Sequence, residues 1–258
     1  MKKTININGR GFQVETGDNT EFWDKVNSGR WEPETYELFD DLITSDSLFL
    51  DIGAWIGSTA LYAAQISQKT IAFEPDPLAF ANLSVNASLN ADTIWADRLH
   101  IVNKAVNADG SNIQIGSRGD GGDSMSSALF SDSETVWMVA GASLTEIVSQ
   151  YAEPGQPIVL KVDIEGGEYQ LIPQISKLLA QPNVKMILSL HPEFLRQSLQ
   201  KEHGLGWRIP FFQRHKALVD ALPPGRQVVF GRRNTKSRVL ALSRALVAGN
   251  FTRQIVLR

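Results

Sequence analysis

From residue 47 to residue 191 the chain alternates short apolar runs with longer stretches whose apolar positions recur at helical spacing. "LFLDIG", "TIAFEPD", "HIVNKAV", "IVLKVDIEG" and "KMILSLH" are four- to eight-residue apolar runs ended by Gly, Pro, Asp or His, the pattern of strands buried on both faces. Between them "GSTALYAAQIS", "PLAFANLSVNASLN", "SLTEIVSQY" and "EYQLIPQISKLLA" read as helices, one opened by Gly57 and Ser58 and another by Pro77. Strand and helix alternating at this interval predict parallel pairing with crossover helices. "TININGRGFQV" alternates about the turn "NGRG" and predicts a hairpin, and "EFWDKVNSGRWEPETYELFDDLI" carries Leu38, Leu42 and its aromatics at helical spacing. "NIQIG" and "TVWMVAG" predict two extra strands on either side of "SRGDGGDSMSSALFSDS", a Gly-, Ser- and Asp-rich loop of lid-like length. "RQVVFGR" and "FTRQIVLR" predict a closing pair of strands.

The fold class that follows is α/β, Rossmann-like: a mostly parallel seven-stranded sheet with helices on both faces. Residues 1–46 form a hairpin and helical cap, and 47–258 form the main domain, with an insertion at 107–142 and a basic segment at 194–258. One stretch breaks the pattern of a central strand. "IVLKVDIEGGEYQLI" sets Lys161, Asp163 and Glu165 at alternate positions, which in a strand point the same way.

Composition adds exclusions. The 258 residues are 43% hydrophobic and 21% charged, within the range of ordinary globular domains. With no cysteine, neither disulfides nor thiolate metal sites are available. "MKKTININGRGF" lacks the apolar run of a signal peptide, and no stretch is long enough to span a membrane, so a cytoplasmic protein without a membrane span is expected. Charge is unevenly placed. Residues 1–193 hold 12 Lys and Arg against 26 Asp and Glu, whereas residues 194–258 hold 13 against Glu202 and Asp220 alone. Either the two parts neutralise each other, or the basic segment meets an anionic partner such as a phosphate, a nucleotide-sugar, an acidic glycan or a membrane surface. No aromatic platform is interleaved with the basic residues, so nucleic acid is not expected.

Two groups of residues carry candidate chemistry. "FLDIGAWIGSTA" puts Asp51 at the end of a strand and Gly53 and Gly57 in the turn that enters a helix, and Glu74 closes the next strand. That is where a Rossmann-like sheet holds a nucleoside, with an acid placed for the ribose hydroxyls. The Gly-x-Gly-x-x-Gly fingerprint is absent, which disfavours a nicotinamide-dependent oxidoreductase. The second group gathers where the fourth and fifth strands end: Asp163 and Glu165, preceded by Lys161, and His191 in "ILSLHPEF". Two carboxylates and an imidazole suit Mg²⁺ or Mn²⁺, and suit equally a metal-free general base oriented by carboxylates. On the second pattern His191 is the base, Asp163 orients it or holds a metal, and Lys161 keeps the carboxylates ionised. His100, His203 and His215 have no comparable setting, and Trp31, Glu32 and Tyr36 are expected to serve packing.

"FLDIGAWIGSTALYAA", "IAFEPDP", "HIVNKAVNADG" and "LKVDIEGGEYQLI", in that order, resemble the FkbM family of class I S-adenosylmethionine-dependent methyltransferases. The resemblance covers about residues 30–195, and "KVDIEGGE" is its most specific part. It implies S-adenosylmethionine as cofactor, with Asp51, Gly53 and Gly57 at its methionine end and Glu74 on the ribose. Asp76 and the backbone of Asn103–Ala105 would flank the adenine, and Ala54, Trp55, Pro75 and Asp163 complete the implied cofactor wall. Two positions depart from the family: Trp55 stands where Asn is usual, and Ser189 where Glu often precedes the histidine. The implied activity is O-methylation of a sugar or glycosylated small molecule, with the basic segment favouring an acidic acceptor. A non-catalytic cofactor- or glycan-binding protein is the alternative from another class.

Overall fold

The computed structural model describes residues 1–117, 135–231, 237–249 and 251–258. The lid-like loop expected at 117–133 falls almost wholly outside them.

The chain opens with strands β1 (Lys2–Ile7) and β2 (Arg10–Glu15), an antiparallel hairpin. The cap continues as two helices, α1 (Thr20–Asn27) and α2 (Pro33–Leu42), where the spacing suggested one. Glycine at 29 and proline at 33 interrupt the run, and Glu32 turns the chain in a left-handed conformation. Then follow β3 (Leu48–Ile52), α3 (Ser58–Ala63), β4 (Lys69–Phe73), α4 (Pro77–Ser88) and β5 (Leu99–Val102). The third apolar run stops at Val102. Its continuation is a separate strand, β6 (Ala105–Asn107), which pairs with β9 below.

The insertion provides β7 (Ile113–Ser117) and β8 (Thr135–Val139), an antiparallel pair, and then β9 (Gly141–Ser143) leads into α5 (Leu144–Tyr151). Next come β10 (Ile158–Val162), α6 (Glu168–Gln174) and α7 (Ser176–Leu179); Pro173 in the last turn of α6 splits what the spacing suggested was one helix. The chain closes with β11 (Val184–Ser189), α8 (Pro192–His203), α9 (Arg208–Ala221), β12 (Val228–Phe230), α10 (Arg238–Ala248) and β13 (Gln254–Leu257).

Seven strands form the central sheet in the order β12-β13-β11-β10-β3-β4-β5. β13 alone runs against its neighbours. The order reverses between β3 and β10, the switch point beside which ligands bind in open α/β sheets. Period-two alternation sorts the two cores. Leu48, Leu50 and Ile52 of β3 and Ile158, Leu160 and Val162 of β10 face helices α5 to α10. Phe49 and Val159 face the cap, where Phe49 meets Phe39 edge-on at 5.0 Å. The next positions on that cap side are Asp51 and Lys161, paired in register at the carboxyl ends of their strands. No helix among the described residues is long and apolar enough to cross a membrane.

Candidate active site

A cavity of about 990 Å³ opens at the carboxyl ends of β3, β4, β10 and β11. It lies at the top of the range of about 300–1,000 Å³ for small-molecule sites. One end is built by consecutive sequence. After β3 the turn at Gly53 takes φ +86°, and a Cβ there would lie 1.8 Å from the carbonyl oxygen of Asp163. Only glycine lets the loops after β3 and β10 touch. The N–H groups of Gly53 and Ala54 donate to the Phe73 carbonyl at 3.0 Å, which ties this turn to the end of β4. Beside it the buried Glu74 carboxylate accepts from the N–H of Trp55 and of Asp76, each at 2.8 Å. Burial outweighs these two donors and pushes its pKa up to about 7.

Gly53, Ala54, Trp55, Glu74, Pro75, Ala105 and Asp163 line the cavity; Asp51, Gly57, Asp76 and Asn103 stand behind its wall. Each of these four has a structural duty visible in the fold. Asp51 is fully buried, 3.1 Å from Lys161 Nζ, and accepts from the Thr59 hydroxyl at 2.6 Å. Gly57 is glycine because a Cβ at its φ of +97° would sit 2.6 Å from Leu83 of α4. Asp76 caps α4, accepting from the N–H groups of Leu78 and Ala79. Asn103 donates to the Glu74 carbonyl at 2.8 Å and braces the loop from outside.

The other end draws on distant segments. β10 stops at Val162, so Lys161, Asp163 and Glu165 do not share a strand face as their spacing suggested. Lys161 alone lies on the strand. It is buried, donates to the Gly53 carbonyl at 2.7 Å, and stands 3.7 Å from Asp163 Oδ2. Burial lowers its pKa, but the charges of Asp51 and Asp163 overcome that and hold it well above the ordinary lysine value. Its first duty is therefore to neutralise Asp51 and fix the Gly53 turn. Beyond Asp163 the chain reverses through left-handed Glu165 (φ +53°) and Gly166. That reversal carries the Glu165 carboxylate back toward His191.

His191 follows β11 and sits at the start of α8. Its Nδ1 lies 2.9 Å from Glu168 Oε1, and its Nε2 lies 3.5 Å from Asp163 Oδ1 and 3.4 Å from Glu165 Oε2. Glu168 Oε1 already accepts from the Ile164 N–H at 3.1 Å. It acts as acceptor toward His191 as well, so Nδ1 carries the hydrogen and Nε2 faces the two other carboxylates. Burial pushes the imidazole pKa down, yet the Glu168 hydrogen bond and the three carboxylate charges prevail and hold it up at about 9. Glu165 is pushed up to about 8 by burial, against the pull of His191.

One ligand atom each from Asp163, Glu165 and His191 can be chosen so that all lie within 4.8 Å of one another. This hard oxygen-and-nitrogen set fits a divalent ion such as Mg²⁺ or Mn²⁺. Glu168 behind the imidazole supplies the carboxylate that usually orients a metal-ligating histidine. Sequence reasoning missed Glu168. An acid in the first turn of an apolar helix reads as a favourable end charge, and only the fold aims it at a histidine 23 residues on.

Four described residues other than glycine take a left-handed φ, and three of them, Glu32, Trp55 and Glu165, line this cavity. Such conformations cost about 1–2 kcal/mol each and gather where function holds them. Trp31 and Glu32 of the cap, expected to serve packing, lie on the wall, whereas Tyr36 is core. The Trp55 ring meets Phe22 of α1 edge-on at 4.5 Å, joining the cap to the turn after β3. His215 is buried between the Tyr169 hydroxyl and the Phe211 carbonyl, away from the wall. Acids predominate around the cavity: Glu32, Glu34, Asp109 and Glu193 join Glu74, Asp163 and Glu165, against Lys104, Lys161 and Arg253. Arg253 is the one basic residue of the 194–258 segment on the described wall, and Glu193 pairs with it at 2.6 Å.

With this geometry in place, the family is identified. The family model of the methyltransferase FkbM domain matches residues 51–215, and the chain belongs to that family. Among solved structures it is similar to methyltransferase FkbM from Methylobacillus flagellatus KT, 15% identical, over 95% of this chain and 56% of that one, with a TM-score of 0.48. The chain thus spans little more than half the length of that relative. It is also similar to an rRNA methylase from Streptococcus thermophilus (10% identity, 87% of this chain and 92% of that one, TM-score 0.39). A third is a geranyl diphosphate methyltransferase solved with GPP and sinefungin (10% identity, 98% and 87%, TM-score 0.41). No curated protein matches the chain.

Proposed function

We propose that this protein transfers a methyl group from S-adenosylmethionine to a hydroxyl of a neutral sugar or glycosylated small molecule. The observation that carries the reading is the placement of Glu74 and His191 at opposite ends of one cavity, with Asp163 between the turn after β3 and the imidazole. Glu74 keeps lone pairs beyond its two backbone donors, and these suit the ribose hydroxyls. S-adenosylmethionine, when bound, supplies an activated methyl as a sulfonium, so the protein has to orient the acceptor oxygen and relieve it of its proton.

Glu168 holds the imidazole so that Nε2 meets the acceptor side. Without a cation that nitrogen is protonated at neutral pH, which hinders it as a base. Asp163, Glu165 and His191 would hold a divalent ion, which would supply Lewis acidity toward the hydroxyl. Acids crowd the wall, and among the described residues the one cation of the basic segment found there is already paired. A neutral acceptor suits that wall better than the acidic one suggested by the overall charge asymmetry.

The test has two stages. Calorimetry should show S-adenosylmethionine binding. Radiolabelled methyl transfer should then be seen to neutral glycosides in preference to uronic acids, abolished by a chelator and restored by Mg²⁺ or Mn²⁺. Absence of cofactor binding overturns the reading as a whole; preference for uronic acids overturns its acceptor.

A further inference from the structure

Helix α10 turns several large apolar side chains outward. Its inner side packs through Ala241, Leu242 and Ala245, while Val239, Leu240, Leu246 and Val247 point outward. Val239 is 79% exposed and Val247 77% exposed. Just before α9 and within its first turn, Leu205 is 100% exposed and Ile209 68% exposed. A surface helix normally turns such side chains inward, and an exposed apolar ridge of this kind marks a contact surface.

The orientation of α10 is fixed. Ser237 caps its N-terminus, and Arg238 donates to the Pro223 carbonyl at 2.7 Å. At the other end Arg208 of α9 donates to the Val247 carbonyl at 3.2 Å, and Gly249 lies so close to Trp207 that a Cβ would fall 2.6 Å from its ring. These ties run α9 and α10 antiparallel and bring Leu205 and Ile209 toward the outer end of α10.

The charge around the ridge names the partner. α10 contains no acidic residue, and residues 194–258 carry 13 basic residues against two acidic ones. Of those two acids, Asp220 is paired with Lys216. Arg244 is exposed on the outer side of α10 beside Leu240 and Val247, and Arg208 is exposed where α9 begins. Aliphatic side chains flanked by the cations Arg208 and Arg244 suit an anionic lipid surface, into which the apolar tips insert while the guanidinium groups meet headgroup phosphates. Two copies meeting through this face would set like charges against each other. We propose that the outer face of α10, with Leu205 and Ile209, is a docking surface for an anionic lipid bilayer.

Co-sedimentation of the full chain with vesicles tests this. The protein should pellet with phosphatidylcholine vesicles containing phosphatidylglycerol, stay in solution with phosphatidylcholine alone, and be released by molar salt. Leu246→Ser combined with Val247→Ser should weaken binding by at least about tenfold, and Arg244→Gln by about fivefold. These side chains are exposed, so unchanged thermal melting is expected; should the double variant melt early, Arg244→Gln and the salt series decide. Equal pelleting with both vesicle types, or none with either, overturns the proposal. So does self-association in sedimentation velocity that the same substitutions abolish, because the face would then join copies of this chain.

Discussion

The two ends of the cavity are made in different ways. At the Glu74 end, a strand, a glycine turn, a helix and a second strand follow one another, and Trp55 and Glu74 meet across 19 residues of chain. At the His191 end, a loop after β10, the first turn of α6 and the residue after β11 converge, and every polar group there leans on a charge from another element. The first end is a local motif whose carboxylates, Asp51 and Glu74, are pushed up chiefly by burial. The second is a coupled cluster in which moving one group alters the rest. Recognition can be built from a contiguous motif, whereas an acid–base or metal site needs groups brought together by the whole sheet.

The largest effect should separate the two ends. His191→Ala and Asp163→Ala are each expected to lower turnover by about 100-fold or more while leaving S-adenosylmethionine affinity nearly unchanged. Steady-state kinetics with calorimetry on the same preparations checks this, and near-normal turnover in either variant removes His191 and Asp163 from the chemistry. Glu168→Gln comes next. The imidazole keeps a neighbour of the same size but loses its charge partner, so affinity for Mn²⁺ should fall by about 10–100-fold. Paramagnetic titration of free Mn²⁺ reads that without reference to turnover, and unchanged affinity would assign Glu168 to the packing of α6 alone.

The same contrast explains what could be seen in the chain. The five core strands, the closing pair that completes the sheet and the hairpin were legible because each is a short apolar run bounded by turn residues. Glu74 was legible as a cavity residue because it is an acid that ends such a run. Asp51 and Gly57 were legible as members of that turn, but not their structural contacts, since sequence does not reveal that Lys161 and Leu83 stand against them from behind. The charged trio that broke the strand pattern has a divided explanation. Lys161 closes the sheet end, while Asp163 and Glu165 leave it. The reversal at Glu165 could not be foreseen, because a left-handed glutamate has no signature beyond the glycines after it. The outward aliphatic face of α10 was hidden for a similar reason: apolar periodicity gives the width of a stripe but not the direction it faces.

At the Glu74 end a smaller effect is expected. Glu74→Gln keeps the size of the group and part of its acceptor capacity, so S-adenosylmethionine should bind about tenfold more weakly, with turnover at saturation changed little. A fall in saturated turnover as large as that of His191→Ala would show that the two ends are energetically one site, and the division drawn between them would fail.

The smallest effect, on thermal stability, reports on both ends at once. In the metal-free protein Glu74, Glu165 and His191 are held up at about 7, 8 and 9, against unfolded values of roughly 4.3 for glutamate and 6.5 for histidine. A group that binds its proton more tightly when folded stabilises the fold below its unfolded pKa, and that contribution is lost as pH rises through the folded value. All three therefore act in the same direction: melting temperature should decline as pH rises from about 5 to about 9. The decline should fall in two windows. Glu74→Gln should flatten the part below pH 7 and His191→Gln the part between pH 6.5 and 9, with each kcal/mol removed worth about 2–4 °C in a chain of this size. Addition of Mn²⁺ should oppose the upper part, because an ion held by Asp163, Glu165 and His191 favours their deprotonated forms. A melting temperature that climbs between pH 7 and 9 in the metal-free protein, and does so equally in His191→Gln, would mean that the imidazole is not held by the carboxylates around it.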